Sequence, residues 1–123
     1  MNRIDILFQT KKQNILSIYF TAGFPALVDT LRTVQELDKA GVDMIEIGMP
    51  FSDPVADGPV IQRSNEKSIS NGMTIKLLFN QLAGVRETTN LPLILMGYIP
   101  ITCPTGHFGD LADPRVHLPQ RRR

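Results

Sequence analysis

The stretch Ile45–Gly58, IEIGMPFSDPVADG, decides how this sequence folds. It closes a short apolar run, VDMIEIG from Val42 to Gly48, which has the length and β-branched content of a buried strand. The run then opens into a long polar loop, Pro50 to Pro59. Within the strand a carboxylate, Glu46, stands between Ile45 and Ile47, where parallel packing is expected to bury both faces. An unpaired carboxylate there is costly. Glu46 is therefore read either as structural, on an exposed edge strand or in a buried salt bridge, or as a functional group near the C-terminal end of the strand, where β/α barrels keep their active sites.

Asp57 follows in Ala-Asp-Gly-Pro, just ahead of a predicted helix. It suits a helix N-cap with proline at the first helical position. Asp53-Pro54 likewise suits an Asx turn. Against those local roles stands the combination: a strand-borne Glu and a loop-borne Asp on one β-α connection can converge on one substrate.

Upstream, Ile15 to Thr21 (ILSIYFT) reads as a first buried strand ending in the turn Ala-Gly-Phe-Pro. Leu27, Leu31, Val34, Leu37 and Ala40 then recur at helical spacing, and Gly41 stands where a helix C-cap favours positive φ. A short amphipathic helix is expected from Asn2 to about Lys12, with Ile4, Leu7 and Phe8 on one face, placed to plug one end of a barrel. Downstream, Val60 to Asn71 predicts a helix closed by Gly72. A longer helix is expected from about Thr74 to Thr88, and a third strand from Pro92 to Gly97. Tyr19 and Thr21 near the end of the first strand, and Tyr98 just past the third, fall at one end of the sheet, where an aromatic can pack or can stack on a flat ring.

Strands alternating with helices predict right-handed parallel β-α-β units, in a doubly wound sheet or an eight-stranded barrel. The loop after the second strand holds neither GxGxxG nor GxxxxGK[ST], so nucleotide-binding Rossmann and P-loop readings are unsupported. A full barrel needs about 250 residues, so three strands within 98 residues amount to less than half of one.

At 123 residues, 42% hydrophobic and 20% charged, the composition is that of an ordinary globular domain. A net charge of +1 gives no argument for nucleic acid or an anionic membrane. No apolar run reaches the ~20 residues of a membrane span, and the N-terminus lacks a signal-peptide core. Met1 is accordingly read as the mature start. The single cysteine, Cys103, forms no internal disulfide, and a cytoplasmic location is expected. His107 and His117 have no acidic pair at metal-ligand spacing, so no metal is assigned.

From Ile101 onward no period is visible, and all four basic residues are arginine, whereas all five lysines lie at or before Lys76. Residues 1–98 are therefore read as the folded portion. Residues 99–123 are read as an irregular, non-native tail, the product of a frameshift or a mispredicted gene end; a flexible basic tail and a short nucleic-acid arm are the alternatives.

The run Glu-x-Gly-x-Pro-Phe-Ser-Asp-Pro-x-Ala-Asp-Gly, ten fixed positions within thirteen, closely resembles the signature of the tryptophan synthase α subunit family. The resemblance extends through SIYFTAGFP (17–25), NGMTIKLLFNQL (71–82) and PLILMGY (92–98), about four-fifths of the chain. It implies an α/β fold, a partial (β/α)8 TIM barrel comprising the first three strand-helix units, with an irregular C-terminal tail. It also implies a lyase of tryptophan biosynthesis that cleaves indole-3-glycerol phosphate to indole and glyceraldehyde 3-phosphate. Glu46 then matches the acid/base carboxylate and Asp57 the acceptor of the indole N-H. Tyr19 and Tyr98 match the family's aromatics, with Thr21 beside them as a further substrate contact.

Pro50–Pro59 matches the loop facing a β subunit, with Asp53 as a signalling residue. No cofactor is expected in this chain; pyridoxal phosphate is expected in that β-subunit partner. Family members continue after Gly-Tyr with Asn-Pro and five more strands, including glycine-rich phosphate loops, whereas Tyr98 is followed here by Ile-Pro-Ile-Thr. The rival expectation is an inactive truncated fragment, at most an interaction module for the β subunit.

Overall fold

The computed structural model describes residues 1–98; the expectations for Cys103, His107, His117 and the tail lie outside the described residues. Three strands, β1 (Ser17–Thr21), β2 (Met44–Gly48) and β3 (Leu93–Met96), form one parallel sheet in the order β1-β2-β3. Between them run α2 (Asp29–Lys39), α3 (Pro59–Ser70) and α4 (Ile75–Leu82), after an N-terminal α1 (Arg3–Thr10). These are the first three units of a partial (β/α)8 barrel.

The register sets Tyr19 beside Glu46 and Glu46 beside Ile94. Because strand side chains alternate, this row shares one face, and Ile45, Ile47, Leu93 and Leu95 share the other. Helices α2 and α4 cover the second face. Val34 of α2 and Leu78 and Leu82 of α4 join those four residues in the core, where Ile45 and Ile47 are fully buried. Each such side chain contributes about 1.5–3 kcal/mol by leaving water. The expectation of burial on both faces is thereby corrected: Glu46 is only half-buried, because the apolar side chains of α2 and α4 pack on the face opposite to it.

Local signals explain the element ends. Asn2 caps α1 in a capping box with Asp5, the Asp5 amide donating to Asn2 Oδ1 at 2.9 Å. Phe8, expected on the packed face, is exposed. Gly41 and Gly72 take positive φ, 85° and 96°, as helix-terminating glycines do. Gly58, not Asp57, is the N-cap of α3, with Pro59 at the first turn. The helix expected from Thr74 to Thr88 stops at Leu82. Ala83-Gly84 interrupts it, the Ala83 amide bonds back to Asn80 O at 3.3 Å, and a 3-10 turn over Val85–Glu87 follows. Val85 still reaches the core at 1% exposure, so the helical spacing was real although the helix was not continuous.

Asp43, one residue ahead of β2, ties the N-terminal side together. Its carboxylate accepts from the Leu16 amide at 2.7 Å and from Lys11 Nζ at 2.8 Å. α1 is thereby fixed at the end of the sheet where the strands begin. No helix among the described residues is long and apolar enough to cross a membrane.

Candidate active site

The open face of the sheet and the loops beyond its C-terminal edge hold the candidate residues. Glu46 occupies the middle of β2, and its Oε1 accepts a hydrogen bond from Ser17 Oγ at 2.7 Å. Tyr19, its neighbour in β1, crosses over Gly48: a Cβ at Gly48 would overlap the Tyr19 hydroxyl and lie 2.6 Å from Cζ. The glycine of the Glu-x-Gly signature is thus the slot that admits the tyrosine. Burial, above all, pushes the Tyr19 hydroxyl up from its ordinary pKa of 10.0; a hydrogen bond with Thr21 opposes this, and Asp57, Tyr98 and Glu46 add to the rise. Tyr19 is therefore a neutral phenol at pH 7, within electrostatic reach of all three.

Asp57 and Tyr98 meet directly. The Tyr98 hydroxyl donates to Asp57 Oδ2 at 3.2 Å and accepts from the Ala56 amide at 3.1 Å. Its ring stacks on Phe51, with centroids 4.9 Å apart and planes 21° from parallel. One residue after β3 thus holds both ends of the loop that follows β2. The Asp57 amide closes a turn onto Pro54 O at 3.0 Å, so Asp57 spends its carboxylate on Tyr98 and not on capping α3.

Thr21 is placed differently. It is 4% exposed, and its hydroxyl lies 2.7 Å from Ser64 Oγ on α3. Ser64 itself donates to Ile61 O at 2.8 Å. Asp53 stands exposed on the loop.

Sequence reasoning passed over the residues that support the site. On α3 the buried Ser64, Asn65 and Ser68, followed by Asn71, form a polar row. Ser68 donates to Ala22 O, Asn71 Nδ2 to Gly23 O at 3.0 Å and Pro25 O at 2.8 Å, and Asn65 Oδ1 accepts from the Phe51 amide at 3.1 Å. This row binds the loops after β1 and β2 to one helix. The spacing of 64, 68 and 71 is helical, and a polar row at that period was the available signal.

Among the described residues no three His, Cys, Asp or Glu side chains gather in a way that could hold a metal ion. What the arrangement offers is acid/base chemistry: a strand carboxylate with one oxygen bonded, a neutral phenol beside it, and a second carboxylate held by a loop-clamping tyrosine.

A family model described as Tryptophan synthase alpha chain matches residues 7–110. The tryptophan synthase alpha chain of Phocaeicola vulgatus is 59% identical over 99 residues, covering 80% of this chain and 38% of the relative. The crystal structure of tryptophan synthase subunit alpha from Legionella pneumophila superimposes with a TM-score of 0.74 at 40% identity, over 80% of this chain and 39% of that one. A tryptophan synthase complex from Pyrococcus furiosus gives 0.63 at 38% identity, over 68% and 34%. The chain thus spans about 38% of the length of the curated relatives it matches. The family match over residues 7–110 and the similarity across 80% of the chain show that it belongs to the tryptophan synthase alpha chain family.

Proposed function

We propose that this chain carries the acid/base end of a site for retro-aldol cleavage of indole-3-glycerol phosphate, a step of tryptophan biosynthesis in the cytoplasm. Glu46 delivers a proton to ring carbon C3, where the glycerol phosphate side chain is attached. Positive charge then appears at the ring nitrogen, and Asp57 stabilises it by accepting the N-H. As the carbon-carbon bond breaks, its electrons return to the ring. The Glu46 carboxylate takes the proton of the side-chain hydroxyl, giving indole and glyceraldehyde 3-phosphate. Tyr19 and Tyr98 supply flat walls for the indole, and Thr21 backs Tyr19.

The observation that carries this reading is the grouping itself: Glu46 is the register partner of Tyr19, and the hydrogen-bonded Asp57–Tyr98 pair lies just beyond the C-terminal end of the same sheet. No cofactor enters these steps. In this reading pyridoxal phosphate resides in a β subunit, which the loop 50–59 faces with Asp53 and the 75%-exposed Val55. A second reading, an inactive chain that is at most an interaction module for the β subunit, is favoured by the exposure of the loop 50–59, where Val55 is 75% exposed.

Indole release by the purified full chain from indole-3-glycerol phosphate separates the two. Release that Glu46→Gln abolishes supports the lyase. No release, with the β subunit still co-purifying, leaves the interaction reading, and neither result refutes both.

A further inference from the structure

The hydrogen bond between Ser17 and Glu46 is the one feature of the open face to which neither the family match nor the retro-aldol scheme assigns a task. Ser17 opens β1 and lies two residues before Tyr19, the register partner of Glu46, so it stands diagonally behind the carboxylate on the same face. Its Oγ donates to Glu46 Oε1 at 2.7 Å, a well-formed O–H···O hydrogen bond. Among the described residues no other protein donor reaches this carboxylate, so Ser17 alone fixes which way it turns.

The direction matters. Asp57 and Tyr98 lie beyond the C-terminal ends of β2 and β3, and Ser17, at the start of β1, contacts Glu46 from the opposite side. Oε1 is occupied by Ser17, and Oε2 is the oxygen without a protein hydrogen bond among the described residues. A carboxylate on a flexible side chain, half-exposed beside an open sheet face, would otherwise sample several rotamers.

We propose that Ser17 is a positioning residue for Glu46: it holds Oε1 and so presents Oε2 as the single oxygen that exchanges protons with the substrate. This rests on the retro-aldol reading of Glu46 for its functional consequence, though the side-chain placement does not. The hydroxyl is the operative group, so threonine should substitute for it and alanine should not.

The test uses the full chain with 13C-labelled glutamate, the Glu46 carboxyl resonance being assigned through Glu46→Gln. Ser17→Ala is expected to move that resonance and Ser17→Thr to leave it near its original place. In turnover, Ser17→Ala is expected to lower kcat on the order of tenfold with KM changed less than about twofold, and Ser17→Thr to restore it. A Glu46 resonance unmoved by Ser17→Ala overturns the proposal. Should Ser17→Ala fail to fold, Ser17→Cys, similar in size but a weak donor, is read in the same way. If the unmutated chain releases no indole while Ser17→Ala still shifts the carboxyl resonance, the retro-aldol reading falls and the placement of Glu46 by Ser17 stands.

Discussion

The Tyr98 hydroxyl lies 3.2 Å from Oδ2 of Asp57 while it also accepts the Ala56 amide, so a residue beyond β3 clamps the loop that follows β2. Tyr98→Phe keeps the ring on Phe51 and removes both bonds. The clamp should weaken by roughly 0.5–1.5 kcal/mol, seen as several-fold faster hydrogen exchange of the Ala56 amide. Unchanged exchange there would show that stacking alone holds the loop.

Gly48 is the floor under Tyr19. Adding a Cβ drives it into the tyrosine ring, so Gly48→Ala should cost about 1–3 kcal/mol in denaturant unfolding, as overpacking does. Combining it with Tyr19→Ala removes the clash. The double variant should then be less destabilised than the sum of the two single ones.

Asp43 is held below its ordinary value of 3.8 by the Leu16 amide first and by Lys11 second. A depressed folded-state pKa means that the stabilisation is fully present above the unfolded value and is lost as pH falls through the folded one. Unfolding midpoints should therefore drop across the acid range below the ordinary carboxylate value. Asp43→Asn should flatten that part of the curve and leave neutral pH with a lower plateau.

Ser68 is fully buried and donates to the Ala22 carbonyl. Ser68→Ala leaves that carbonyl without its donor, with an expected cost of about 1–3 kcal/mol. Thermal unfolding checks the magnitude. Loss of protection in the loop after β1, more than in α4, would locate the effect.

Much of the site was legible because strand chemistry is local. The alternation Ile45-Glu46-Ile47 showed that a carboxylate shares a strand with two core residues, and the register bears out the alternation. Asp57 was ambiguous because Asp-Gly-Pro satisfies a helix start as well as a loop. Only the distance to Tyr98, forty-one residues away in sequence, resolves its side chain toward β3. The break at Ala83-Gly84 escaped periodicity because Val85 keeps the helical phase through the interruption.

The sequence by itself determined the three β-α units and the family, since hydrophobic period, helix-ending glycines and the Glu46–Gly58 signature are all written within short windows of chain. Tertiary structure alone decided three things: which face of the sheet stays open, that among the described residues Ser17 and not a cation meets Glu46, and that the polar row on α3 ties two loops to one helix. Those contacts join residues from 14 to 48 positions apart. Their partners are selected by strand register and helix packing, which no local window of residues contains.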